Sequence, residues 1–236
     1  MQITTVLFDL DGTLLPLDQE AFMKLYFGGL AAKLAPRGYE PKALIDAIWA
    51  GTADMVKNDG SQTNEETFWK RFTKIFGEES LADTPLFEEF YQTDFDKAQA
   101  ACRRAPAARE IVDGLKARGI CTVLATNPLF PSIATEKRMA WAGLSPSDFV
   151  LFTTYENARH CKPNPDYYRD ILEKIGTDPT ECLMVGNDVD EDMIAQSLGM
   201  QVFLLTDCLI NKRGKDISAY PHGDFEDLKV FLETVI

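Results

Sequence analysis

Two aspartates one residue apart, Asp9 and Asp11, stand at the end of an apolar run in VLFDLDGTLL. In an extended strand alternate side chains share a face, so both carboxylates project the same way while Leu10 packs opposite. Two like charges at that spacing repel unless a cation sits between them or one of them holds a proton. Both arrangements are chemically useful. A carboxylate can attack an electrophile, and a protonated neighbour can serve a leaving group. Gly12 lets the backbone turn sharply and approach a ligand, and Thr13 follows it. A D-x-D-G string can also be a polar strand end that only closes a turn. The uninterrupted approach of Val6, Leu7 and Phe8 favours instead a buried parallel strand that points at a site.

Such a strand needs a sheet around it, and the second half of the chain supplies one. Pro106 opens a helix with AAREIVDGLKAR as its body and Gly119 as its stop. CTVLAT, FVLFTT, ECLMVG and QVFLLT then read as buried strands, separated by the helical segments TEKRMAWAG, PDYYRDILEKIG and DEDMIAQSLG, and FEDLKVFLETVI closes as an amphipathic helix. Alternation at this tempo predicts an α/β fold: a Rossmann-like parallel sheet with right-handed crossovers and helices on both faces. In such sheets ligands bind beyond the carboxyl ends of the strands. The residues placed there are Asp9 and Asp11 after the first strand, Thr126 and Asn127 after CTVLA, and Asn187, Asp188 and Asp192 after ECLMVG. Lys162 arrives from HCKPNP, where Pro163 and Pro165 stiffen the loop.

Between these parts the character changes. Residues 17–100 contain no convincing buried strand, and apolar residues recur at helical spacing in AFMKLYFGGL and FWKRFTKIF, where Phe68, Phe72 and Phe76 share a face. The expected organisation is a core of residues 1–16 and 101–236 with an all-helical subdomain, 17–100, inserted after the first strand. Its aromatics, Trp49 and Trp69 included, are expected to form a helix–helix core rather than a ligand box. KNDGSQTN, residues 57–64, reads as an exposed loop.

The 236 residues suffice for one large domain with an insertion, and 45% apolar content is that of a globular fold. A formal net charge of −13 argues against nucleic acid or an anionic membrane as partner. With no signal-like N-terminus and no long apolar run, the expectation is a soluble, cytoplasmic protein, monomer or homodimer. The five cysteines show no C-x-x-C spacing, so neither a zinc site nor a disulfide framework is expected. Cys161, beside Lys162, is the one thiol near candidate chemistry. His160 and His222 are expected in loops.

Carboxylates facing one cleft suit a hard divalent cation, and Mg²⁺ takes one or two of them plus water and substrate oxygens. Asp9 and Asp188 are the natural ligands. Thr126, Asn127 and Lys162 can then donate to phosphoryl oxygens, one carboxylate can attack phosphorus, and Asp11 can hand a proton to the leaving oxygen. DLDGT, a strand ending in Thr126, Lys162 and GNDVDED together resemble the four-motif signature of the haloacid dehalogenase-like hydrolase superfamily, in its phosphatase branch, over nearly the whole chain.

The resemblance implies Asp9 as nucleophile, Asp11 as general acid/base and, through its backbone carbonyl, a magnesium ligand. Thr126 and Lys162 become phosphate binders, Asp188 completes the metal site, and Asp192 orients Lys162 or a metal-bound water. Asn187 stands where many members carry the aspartate itself. It also makes the inserted helices a cap that closes over a phosphorylated small-molecule substrate. Lys24, Lys57, Arg71 and Arg103 are the candidates for contacting a charged substrate. Among other readings, a dehalogenase needs only the first aspartate, so Asp11 speaks against it, and a receiver-like domain is about half as long. Phosphoryl mutase, phosphonate cleavage and a non-catalytic phosphate binder on the same fold remain open alternatives.

Overall fold

The computed structural model describes residues 2–236. The first strand, β1 (Thr5–Phe8), lies at the centre of a six-stranded sheet. It is followed by four helices, α1 (Gln19–Leu34), α2 (Pro41–Val56), α3 (Asn64–Phe76) and α4 (Thr84–Gln92), with 3-10 turns at Glu78–Asp83 and Asp94–Ala101. The alternating part runs α5 (Pro106–Ala117), β2 (Cys121–Leu124), α6 (Ser132–Trp141), β3 (Leu151–Phe152), α7 (Pro165–Ile175), β4 (Cys182–Gly186), β5 (Gln201–Leu205), β6 (His222–Gly223) and α8 (Phe225–Val235). The strand order is β3-β2-β1-β4-β5-β6, and every pairing is parallel. This is the predicted α/β Rossmann-like sheet, and the insertion is helical as expected.

Strand periodicity divides the core. Val6 and Phe8 join Leu124, Leu183, Val185 and Phe203 in one apolar cluster that includes Ile111 and Leu115 of α5 and Leu228 of α8. Leu7 points the other way and packs with Val123, Met184, Val202 and the α7 residues Tyr167, Tyr168 and Ile171. Both faces of β1 are therefore covered, which is why its sequence is continuously apolar rather than alternating. Helix boundaries follow local chemistry. Asp18 caps α1 by accepting from the Ala21 N–H at 3.0 Å, and Thr63 and Glu66 form a reciprocal capping box on α3. Gly176 ends α7 in the left-handed conformation.

Three expectations are corrected. DEDMIAQSLG winds as a short 3-10 turn, Met193–Leu198, instead of an α-helix, because the segment is pinned by Asp192 at one end and turns at Gly199 at the other. FVLFTT contributes only two residues to the sheet, and β6 is too short to leave a periodic signal. The loop at 57–64 is anchored rather than simply exposed. Asn64 is fully buried, its main-chain N–H donates to the Ala158 carbonyl at 2.9 Å, and its side chain donates to the Pro128 carbonyl and to Cys161 Sγ. An amide has enough donors and acceptors to tie the insertion to two core loops at once.

Asp148 fastens the base of the sheet to α5. Arg109 Nη1 and Lys116 Nζ donate to it at 2.6 and 2.7 Å, and the Ser145 N–H donates at 2.8 Å. Burial alone would raise this carboxyl, but the three donors hold it well below the usual carboxylate range. A depressed folded-state value contributes stability above the unfolded value near 4, and that contribution disappears as pH falls through the folded value. Arg109 and Lys116 are 36% and 38% exposed, so solvent screens part of the attraction. Asp148→Asn is expected to lower unfolding stability by about 1–2 kcal/mol at pH 7. Denaturant titration at pH 7 and pH 3 should show the gap between the two proteins shrinking at the lower pH.

Candidate active site

Register places the candidate groups. Asp9, the residue after β1, donates its N–H to the Val185 carbonyl at 2.9 Å, and the Phe8 carbonyl accepts from the Ala125 N–H at 2.7 Å. Asp9 is thus level with Ala125 and Gly186, and Thr126 and Asn187 follow one residue further along the adjacent strands. A single cavity of about 430 Å³ is lined by Asp9, Asp11, Gly12, Thr126, Asn127, Asn187, Asp188 and Asp192. The strand-end rule applied to the sequence therefore gathers its residues at one edge of the sheet.

Lys162 is the centre of this edge. It is 1% exposed, and its Nζ donates to Asp9 Oδ1 at 2.9 Å and to Asp192 Oδ1 at 2.6 Å. Burial alone would lower its ammonium, but Asp192 and Asp9 together hold it well above the usual lysine value, so it stays charged. Asp192 uses its second oxygen to accept from the Asp188 N–H at 2.9 Å. Gly186 makes room for this: a Cβ there would lie 2.1 Å from Asp192 Oδ2. Thr13 donates to Asp9 Oδ2 at 3.2 Å and lies 3.1 Å from Asn187 Oδ1. Gly12 has φ +85°, and a Cβ on it would strike the Asn187 amide at 2.2 Å. The turn after Asp9 requires glycine on both counts.

Thr126 is held from behind by its carbonyl, which accepts from Thr153 Oγ1 at 2.6 Å and from the Tyr167 hydroxyl at 2.8 Å. The Asn127 side chain is engaged with neighbours: Oδ1 accepts from the Lys162 N–H at 3.2 Å and Nδ2 donates to Glu191 Oε2 at 3.0 Å. It ties the Lys162 loop to the β4 loop. Asp188 is fixed through Oδ1, which accepts from the N–H groups of Asp190 and Glu191 at 2.8 and 3.0 Å. Cys161 is a buried thiol, pushed up to about 12 by burial, and accepts from Asn64. His160 pairs with Asp170 at 2.8 Å, away from the cavity lining.

Asp11 has a partner that sequence reading missed. Arg138, on α6 and 1% exposed, donates through Nη1 to Asp11 Oδ2 and is itself held by the Ala134 carbonyl, by Thr135 Oγ1 and by the Phe130 ring 4.4 Å away. The signal was present in TEKRMAWAG: Arg138 falls on the same helical face as Ala134 and Trp141, where a charge must have a reason. Burial pushes the Asp11 carboxyl above the usual range, with Arg138 opposing and Asp9 adding to the rise. Its other oxygen, Oδ1, is buried with no hydrogen-bond partner. Because the Asp11 side chain turns to Arg138, the side chains of Asp9, Asp11 and Asp188 do not converge as a ready-made trio. Among the described residues no group of three or more His, Cys, Asp or Glu side chains does so.

The cavity corrects two further expectations. Trp69, Phe22, Phe68 and Phe87 line it as well as packing among the helices, and the half-exposed Trp49 lines it beside Phe27, so the aromatic face is both core and cavity wall. None of Lys24, Lys57, Arg71 or Arg103 reaches it, and Arg71 is spent on Asp54 at 2.6 Å. Removing the Arg138 charge strands a carboxylate that is only 31% exposed, so Arg138→Met is expected to cost about 3 kcal/mol. In a denaturation double-mutant cycle with Asp11→Asn, the two losses should be non-additive by 1 kcal/mol or more, on the order of other contacting charged pairs.

A haloacid dehalogenase-like hydrolase family profile matches residues 3–197. The chain is 22% identical over 200 residues to pyrophosphatase PpaX of Bacillus velezensis, covering 84% of this chain and 81% of that one. It is 27% identical over 191 residues to phosphoglycolate phosphatase of Agrobacterium fabrum, covering 81% and 75%. Its fold resembles the crystal structure of a 2-haloacid dehalogenase from Pseudomonas syringae pv. Tomato, with a TM-score of 0.62 at 20% identity over 98% of this chain and 99% of that one. With the match extending through all four motif regions of the sheet edge, this chain belongs to the haloacid dehalogenase-like hydrolase family.

Proposed function

We propose that this enzyme is a Mg²⁺-dependent phosphomonoesterase that acts on a small phosphorylated metabolite through an aspartyl-phosphate on Asp9. The observation that carries the reading is one buried carboxylate, Asp9, which lines the cavity and is held at 2.9 Å by a charged, buried Lys162, with Asp11 two residues on. Lys162 and Thr126 would receive the phosphoryl oxygens, with Asn127 beside them, as charge-assisted and neutral donors fixed in advance. An Asp9 oxygen forms the new bond to phosphorus as the bond from phosphorus to the alcohol oxygen breaks, and protonated Asp11 gives its proton to that oxygen. Water then attacks the aspartyl-phosphate and Asp11 takes a proton back, which releases phosphate and restores both carboxyls. The raised Asp11 carboxyl suits that exchange. Asp192 positions Lys162, and Arg138 positions Asp11.

The donor set fits a hard cation. Asp9 and Asp188 offer carboxylate oxygens to the same cavity, Asp188 is fixed through only one of its oxygens, and the Asp11 carboxyl carries a buried oxygen without a partner. Asp9, Asp188 and the main-chain carbonyl of Asp11 would hold Mg²⁺, with Asn187 beside them. When bound, the ion offsets repulsion among these carboxylates and phosphoryl oxygens. The helices of 17–100 would act as the cap of the site over a core of 1–16 and 101–236. A phosphorylated small molecule is the partner in this reading, and the cytoplasm the place.

Phosphate release from a panel of phosphomonoesters, with and without Mg²⁺, tests this. Hydrolysis should require Mg²⁺ and fall by at least about a thousandfold in Asp9→Asn, with the unfolding midpoint retained. Undiminished activity in that variant would remove the covalent mechanism.

A further inference from the structure

The cavity that holds Asp9 has a one-sided chemistry. It runs without a break from Asp9 and Asp188 to Phe27, Trp49, Trp69 and Phe87. The rings support one another: Trp69 meets Phe87 edge-on with centroids 5.3 Å apart, and Phe27 and Trp49 lie 5.5 Å apart. Trp49 keeps half of its surface exposed although it is a large apolar side chain. Rings left partly uncovered next to a reactive carboxylate form a surface that gains from being covered by another apolar or aromatic group.

Charge points the same way. Among the described residues that line the cavity, Lys212 is the one cationic side chain, whereas Glu65, Glu88 and Glu191 all face it beyond the aspartates of the sheet edge. No lysine or arginine of the insertion is among the residues lining it, and three of them are engaged elsewhere: Lys33 with Glu89 at 2.7 Å, Arg37 with Asp83 at 2.6 Å and Arg71 with Asp54 at 2.6 Å. A leaving group that carried a carboxylate or a second phosphate would enter a low-dielectric space lined with glutamates and nearly without counter-charge. An uncharged aromatic alcohol would meet only favourable surface.

Resting on the phosphatase reading above, we propose that the substrate is a phosphomonoester whose alcohol carries an uncharged aromatic ring, stacked among Trp49, Trp69 and Phe87, and that alcohols bearing further negative charge are rejected. The test compares kcat/KM for 2-phenylethyl phosphate, ethyl phosphate, 2-phosphoglycolate and pyrophosphate in the full-length enzyme with Mg²⁺. The aromatic ester should exceed each of the others by about a hundredfold, the factor expected for burying one ring. Trp69→Ala should cut the ratio of phenylethyl to ethyl phosphate by about tenfold.

Equal or better turnover of 2-phosphoglycolate or pyrophosphate, still abolished by Asp9→Asn, overturns the aromatic assignment and leaves the phosphatase reading standing. No hydrolysis of any ester defeats that reading instead. The assignment is then decided by tryptophan fluorescence titration of Asp9→Asn: tighter binding of 2-phenylethyl phosphate than of 2-phosphoglycolate, by about tenfold or more, supports it, and equal or reversed affinity refutes it.

Discussion

Everything at the sheet edge depends on one buried ammonium. Lys162 stands between Asp9 and Asp192, and neither carboxylate is far enough into solvent to be ionised cheaply without it. Asp192 in turn holds the Asp188 main chain, which sets the loop after β4, and Gly186 is needed so that Asp192 can lie there. The Lys162 loop is held in its own right by Asn127 and, one residue earlier, by Asn64 reaching from the helical insertion. One charge therefore couples β1, the α7 loop and the β4 loop, and the parallel register brings the three together.

Asp11 depends on a different cation. Its ion-pair partner is Arg138 of α6, whereas that of Asp9 is Lys162, so the two aspartates of the opening motif are held by different cations although each still feels the other's charge. Different partners allow two carboxyls two residues apart to take unlike roles. The same sheet supports other reactions, and the structural similarity to a 2-haloacid dehalogenase shows that the fold does not select the chemistry. In the proposed reading it is the second aspartate, with the arginine that holds it, that suits a leaving group in need of a proton.

Much of this was legible in the sequence because the rules involved are local or topological. A continuous apolar run such as Val6–Phe8 reads as a strand buried on both faces, and alternation of strands with helices forces their carboxyl ends to one edge. Asp9, Thr126, Lys162, Asp188 and Asp192 followed from that placement and from the resemblance of their motifs. The contacts that cross the molecule were not legible. A helical period shows that Phe68, Trp69 and Phe87 have an apolar face, but not whether that face meets another helix or an open cavity. Arg138 looks like one more basic residue until the burial of its helix face is known, and Asn64 looks like part of a polar loop until two core loops close on it.

The free energy of unfolding of Lys162→Met at pH 7 tests the central claim most directly. If the ammonium is what compensates the buried carboxyls beside it, its loss should cost about 3–5 kcal/mol, and the deficit should shrink at lower pH as Asp192, pushed up to about 7 by burial even with Lys162 beside it, takes up a proton. Stability equal to that of the unaltered protein, or a deficit independent of pH, would contradict it.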